Sequence, residues 1–198
     1  MDREKLAKRT SIRPHLKPSP KSTAEVWDPF LRVFHWGLVA SFAVTYFTGD
    51  EEREVHVAFG WAALVLILFR VFWGFVGPTH ARFEMFVKSP AATLAYLSQV
   101  ARGEEPRHLG HNPAGGAMVM ILLLFTAGTA VTGVLLSTDT FWGSETLDMV
   151  HGLFAHVTAA CVAIHIAGVL FTSLRTRENL VWSMVTGRKR SARDDDVS

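Results

Sequence analysis

From Asp148 to Thr172 the chain runs for 25 residues, DMVHGLFAHVTAACVAIHIAGVLFT, without a Lys, Arg or Glu. Its one carboxylate is its first residue. At about 1.5 Å per residue a helix of this length reaches roughly 37 Å, enough to cross a hydrocarbon core of about 30 Å. A helix in lipid satisfies its own backbone, so this stretch commits the chain to a helical membrane architecture. It nevertheless carries His151, His156 and His165. Ionisable groups at membrane depth are costly, and by default they mark function.

The spacing of these histidines sorts them. His151 and His165 are 14 residues apart. At about 100° per residue that is within roughly 40° of whole turns, so both lie on one face, about 21 Å apart along the axis. His156 is rotated by about 140° from the first and about 180° from the second, and it points elsewhere. Two same-face histidines near opposite edges of a bilayer call for partners at matching depths on other helices.

Three further spans supply them. Phe30–Thr48 follows Asp28-Pro29, an N-cap with proline at the first helical position, and holds His35. Val55–Val76 begins with His56 in its first turn, carries Arg70 fourteen residues later on the same face, and stops at Gly77-Pro78. Ala114–Leu136 follows Asn112-Pro113 and contains no histidine. Its small residues, among them Gly116, Gly128 and Gly133, allow close approach of a helix or cofactor. In the long second loop, Ser89-Pro90 opens a short amphipathic surface helix that ends at Gly103. Residues 1–25 read as a disordered basic tail without an apolar leader, 26–176 as the membrane domain, and 177–198 as a basic C-terminal tail.

Charge sets the expected topology. Basic residues crowd both tails and the second loop (Arg82, Lys88, Arg102, Arg107), the first loop has only Arg53 among four acids, and the third has no Lys or Arg. The positive-inside rule then places both termini and the long loop in the cytoplasm of a bacterial inner membrane. The net charge of +2 is too small to argue for nucleic acid. The single cysteine, Cys161, excludes an intrachain disulfide, a cysteine zinc cluster and thioether-linked haem, and reads as core packing.

In this all-α four-helix bundle, His56 meets His151 at the outer depth, and His35 meets His165 at the inner depth. Low-spin haem takes two axial nitrogens on opposite faces, and facing helices of a bundle supply them. Two non-covalent b-type haems account for all four histidines, whereas helix–helix hydrogen bonding explains single histidines but not two matched pairs. Zinc would need both pairs in one tetrahedral shell, for which they are too far apart. Arg70 reads either as the partner of an inner haem propionate or as a cation snorkelling to headgroups. His111, in Leu109-Gly110-His111-Asn112-Pro113, reads as part of a helix start or as a propionate or quinone contact, with a near-neutral unperturbed pKa. Gly60, one turn after His56, leaves room for a porphyrin or for a helix. His15, His80 and His108 read as loop residues, and His156 as a lipid-side or interhelical polar group.

The stretches VWDPFLRVFHW, HVAFGWAALVLILFRVFWGFVGP, RFEMFV, LGHNPAGG, HGLFAHVTAACVAIHIAGVL and SLRTRENLVWSMVTGRKR together resemble the bacterial cytochrome b561 family, which includes the b-type cytochrome subunit of nickel-iron hydrogenases. The resemblance covers about residues 26–190. It implies haem b ligated by helices one, two and four, at positions that here are His35, His56, His151 and His165, with no counterpart for His156. It also implies electron exchange with membrane quinone. The expected function is therefore a dihaem cytochrome b carrying electrons between quinone and a periplasmic redox protein (hydrogenase, dehydrogenase or c-type cytochrome). It would be a subunit rather than a self-contained enzyme, and a homodimer is left open. The alternative within the family is a stand-alone superoxide:quinone oxidoreductase.

Overall fold

The computed structural model describes residues 23–49, 51–192 and 196–197. Of the disordered tail expected at residues 1–25, residues 1–22 lie outside that range, and Thr23–Glu25 form a strand instead. Within it the chain is ordered as strand β1 (Thr23–Glu25), helices α1 (Pro29–Thr48), α2 (Arg53–Val76), α3 (Phe83–Phe86), α4 (Pro90–Arg102), α5 (Pro113–Leu136), α6 (Glu145–Thr176) and α7 (Leu180–Thr186), and strand β2 (Arg188–Arg190). Helices α1, α2, α5 and α6 are long and apolar enough to cross a membrane. Their outward faces carry exposed Phe, Leu, Val and Trp, the surface that lipid covers.

The helix starts follow capping chemistry. Asp28 Oδ1 accepts the Leu31 N–H at 3.0 Å, and Asn112 Oδ1 accepts the Gly115 N–H at 2.7 Å. Proline follows each cap, where its missing N–H costs nothing. Ser89 and Gly103 bound α4, as expected. Helix α6 is longer than its apolar stretch. Ser144 caps it, Glu145 and Asp148 complement the dipole of its first turn, and it runs on to Thr176. Apolarity marked only the part within lipid.

The close helix contacts run from α1 to α2, α2 to α5 and α5 to α6, and α6 makes no comparable contact with α1 or α2. In the most apolar window of α6 only 6% of residues are buried in protein, against 17–22% for the other spans. The helix with the most histidines is thus the least buried in protein, and its His151 borders a cleft.

One end of the bundle carries the two short inter-helix loops (the loop end), and the other carries β1, α4, α7 and β2 (the tail end). The described hydrophobic core lies at the tail end: Val26, Trp27, Leu31, Phe34 and Leu123, flanked by Phe83, Leu109 and Met184. Gly116 lets the backbone of Phe86 lie against α5, where a Cβ would collide with the Phe86 carbonyl oxygen. The segment after α6, expected as a tail, carries α7 and β2. Strand β2 pairs antiparallel with β1, Ala24 opposite Lys189. The Gly187 carbonyl accepts from Val26 and Trp27 N–H groups, and Arg32 and Trp36 of α1 donate to the Val185 and Met184 carbonyls.

Candidate functional site

At the loop end, His56 in the first turn of α2 faces His151 in the second turn of α6. Their ring centroids are 6.1 Å apart and the planes are tilted by 72°. His56 Nδ1 lies 2.9 Å from the Thr45 carbonyl oxygen. His151 Nδ1 lies 3.0 Å from the Thr129 carbonyl oxygen and 3.1 Å from Thr132 Oγ1. A carbonyl only accepts, so each Nδ1 carries the proton and each Nε2 keeps its lone pair. This is how a metal-ligating imidazole is held, its second nitrogen tied to an acceptor that fixes tautomer and ring orientation. The Thr132 hydroxyl is also 2.7 Å from the Gly128 carbonyl oxygen, to which it donates, so it accepts from His151.

The pair lines a cleft with Thr45, Gly60, Ala130 and Gly133. A Cβ on Gly60 would meet nothing within 4 Å, so the space beside His56 is open. Gly133 serves the His151 imidazole instead, since a Cβ there would lie 3.0 Å from His151 Cε1.

At the tail end, His35 of α1 lies within electrostatic reach of His165 of α6. Among the described residues no hydrogen-bond partner holds either ring, and His35 Nδ1 is buried and unsatisfied. Arg70 is only 2% exposed, which removes the snorkelling alternative. Its guanidinium carbon sits 4.8 Å from the Phe83 ring centroid and 5.8 Å from that of Phe86, and its Nη1 is buried without a partner. An unsatisfied buried guanidinium is expensive and asks for an anion.

His111 is enclosed between Trp27 and Phe86, at centroid distances of 4.7 and 4.8 Å, and its Nδ1 is buried and unsatisfied. Burial, reinforced by Lys189, Arg70 and His165, pushes its pKa down to about 3. Its ordinary value near 6.5 is thus displaced downwards, which keeps the ring neutral at physiological pH. His156 is exposed, with Nδ1 2.6 Å from the carbonyl oxygen of Gly152 on its own helix. It belongs to neither pair.

Several residues here had no place in the sequence reading. The backbone carbonyls of Thr45 and Thr129 and the hydroxyl of Thr132 anchor the loop-end imidazoles, and only the hydroxyl of Thr132, in an otherwise apolar helix, left a signal in the sequence. Lys189 is 7% exposed, with Nζ 2.9 Å from the Leu109 and 3.3 Å from the Gly110 carbonyl oxygens, just before His111. Burial pushes its pKa down to about 8, partly offset by Glu178. Arg107 forks onto Glu178 at 2.8 and 3.0 Å and pairs with Asp196, tying the long loop to the C-terminal segment. Nothing in a basic tail announces that it folds back.

The donor sets fit haem. Among the described residues no cluster of three or more His, Cys, Asp or Glu forms a metal shell. Two axial nitrogens suit an iron that brings its own equatorial ligands. One metal bonded to both rings at about 2 Å would hold their centroids roughly 6 Å apart, as found at the loop end.

A family model described as prokaryotic cytochrome b561 matches residues 26–187. The chain is 23% identical to a probable Ni/Fe-hydrogenase B-type cytochrome subunit of Rhizobium leguminosarum bv. viciae, over 87% of this chain and 91% of that protein. Proteins of the same description from Bradyrhizobium diazoefficiens and Rhodobacter capsulatus are 24% and 25% identical, over 85% and 99% of this chain and 87% of each relative. No solved structure matches the chain significantly.

Proposed function

Since the chain belongs to the prokaryotic cytochrome b561 family of membrane electron-transfer proteins, we propose that it binds two haems b and carries electrons between quinone and a periplasmic redox enzyme. Membership implies haem b and a multi-pass membrane location, and the four spans agree with the second. Haem b supplies a reversible one-electron couple, while the chain supplies ligation, spacing and environment.

The carrying observation is the loop-end histidine pair, its rings 6.1 Å apart and tied at Nδ1 beside an open cleft. His56 and His151 hold the loop-end haem through Nε2, and His35 and His165 hold the tail-end haem. Arg70 offers its free Nη1 to a propionate, and His111, neutral and walled in, offers Nδ1 on the same side. The apolar spans exclude water from the path between the sites.

The basic tail end faces the cytoplasm and the acidic loop end the periplasm, following the positive-inside rule. The loop end, with two short loops, leaves an open face for the enzyme. The relatives' description as hydrogenase subunits supports a partner of that class. Quinone meets the protein at the tail end, where the long loop and α4 give shelter. The test is a pyridine haemochrome assay against protein mass in detergent. The expected ratio is two haems b per chain; a ratio near one removes a site, and one near zero sinks the proposal.

A further inference from the structure

We propose that helix α5 holds the imidazole of His151 crossed against that of His56, and that Thr132 is the positioning residue that keeps it so. The loop-end haem then takes two axial rings whose planes are near perpendicular. The inference rests on the two-haem reading above and concerns the loop-end site alone. Behind it stands the angle of 72° between the two ring planes, at a centroid separation of 6.1 Å. An imidazole bonded through Nε2 keeps the metal in its own plane, so this angle becomes the twist between the two ligands.

Each ring has its own anchor. Helix α1 ends at Thr48, so the Thr45 carbonyl lies in its last turn, where carbonyls lack a helical partner. It accepts the Gly49 N–H at 3.3 Å and has a lone pair left for His56 Nδ1 at 2.9 Å. His151 Nδ1 faces two acceptors on α5, the Thr129 carbonyl oxygen at 3.0 Å and Thr132 Oγ1 at 3.1 Å. A single acceptor leaves a ring some freedom to swing about its Cβ–Cγ bond, and a second one in another direction removes it. The Thr132 hydroxyl gives its proton to the Gly128 carbonyl oxygen at 2.7 Å, so it meets His151 with a lone pair.

Packing sets the same plane. Small residues of α5 bring α6 close over one stretch. A Cβ on Gly128 would lie 2.8 Å from Phe154 Cε1, and one on Gly133 would lie 3.0 Å from His151 Cε1. Between them Thr129 Oγ1 is 3.3 Å from Oγ1 of Thr158, which is buried. His151 Cε1 thus adjoins the space that Gly133 leaves free, while Nδ1, its neighbour in the ring, reaches the threonines. Second-shell hydrogen bonding is one of the levers a protein has on haem iron. Here its consequence is electronic. An axial imidazole donates π density perpendicular to its own plane. Parallel rings act on one iron dπ orbital and split the pair, whereas crossed rings act on both and leave them close in energy. Low-spin ferric haem with crossed rings shows one dominant feature at large g in electron paramagnetic resonance, and parallel rings give three well-spread features.

The test is low-temperature electron paramagnetic resonance of the oxidised full chain in detergent. The loop-end signal is the one that His56→Ala removes, and it should be a single feature at large g. Thr132→Val, which keeps the shape and removes the acceptor, should shift that feature towards the three-line form while both haems stay bound. Thr132→Ser keeps the hydroxyl and should retain the large-g feature. Gly133→Ala, whose new methyl presses on His151 Cε1, should shift it as well. The wild-type spectrum carries the test by itself where a variant does not insert. A three-line loop-end signal in the wild type, or an unchanged signal in Thr132→Val with both haems bound, would overturn the inference alone. If His56→Ala removes no signal, the two-haem reading fails and takes the inference with it.

Discussion

The loop-end pair is held by hydrogen bonds, and among the described residues the tail-end pair is not. At His56 and His151 the backbone of α1 and α5 fixes both rings, and the protein around them is thin. At His35 and His165 no acceptor among the described residues holds the rings, but the described core, α7 and the β1–β2 pair share that end of the bundle, and the buried cations Arg70 and Lys189 act on His111 there. One end carries its order within the ligand hydrogen bonds; the other imposes it by packing. A site at an exposed end needs ligands placed before its cofactor arrives, whereas a walled site can leave polar atoms for the cofactor to satisfy.

The largest effect that tests this contrast is loss of one haem at a time. His56→Ala or His151→Ala should halve the haem content and leave the tail-end spectrum. His35→Ala or His165→Ala should remove the other half. His156→Ala should remove neither, because its Nδ1 bonds Gly152 of its own helix and its ring is exposed. Loss of haem on changing His156, with His151 dispensable, would break the assignment of faces on α6.

Gly60→Leu comes next. A Cβ at this position meets nothing within 4 Å, so the chain tolerates the side chain and only a cofactor beside His56 competes for the space. The variant should insert and fold normally, yet bind one haem with the spectrum of His56→Ala. Normal occupancy of both sites in Gly60→Leu would mean that the gap serves some other purpose.

These expectations grade what was legible in the sequence. Four spans, their caps at Asp28 and Asn112, and the face shared by His151 and His165 all follow from periodicity and local chemistry, which act within one helix. The ends of α6 did not, because apolarity stops before capping does. The anchors behind the imidazoles were hidden for a different reason: a backbone carbonyl leaves no mark on residue identity. The fold-back of α7 and β2 depends on Arg107 meeting Glu178, 71 residues away, and on Lys189 reaching the Leu109 carbonyl. No local pattern encodes such pairings. Arg70 was found by its phase, but only its burial separated the inward reading from the snorkelling one.

That long-range pairing gives a mid-sized prediction. The side chains of Arg107 and Glu178 are 8% and 13% exposed, so Arg107→Ala leaves a nearly buried carboxylate without its guanidinium. Breaking a buried pair from one side costs about 3 kcal/mol or more. Thermal release of haem should then become biphasic, with the tail-end haem leaving first and the loop-end haem at its usual temperature. Equal acceleration of both would mean that the two ends are not separately stabilised.

The smallest effect concerns His111 and is read from pH. Its folded pKa of about 3 lies below the usual histidine value near 6.5, so between these limits an unfolded loop binds a proton that the folded one refuses. The resulting stability is complete above about pH 6.5 and is lost as pH falls towards 3. Tail-end haem should therefore be released on acidification before loop-end haem, and His111→Asn should weaken that dependence. Between pH 6.5 and 8 His111 stays neutral, and it acts on the quinone reaction only as a hydrogen-bonding group. His111→Ala should slow stopped-flow electron exchange with quinone by roughly five-fold, the worth of one hydrogen bond of about 1 kcal/mol, without moving any inflection of the rate profile. An inflection near pH 6.5 that disappears in His111→Ala would show that the ring titrates during turnover, and the tail end would then be a more open site than its walls of Trp27 and Phe86 imply.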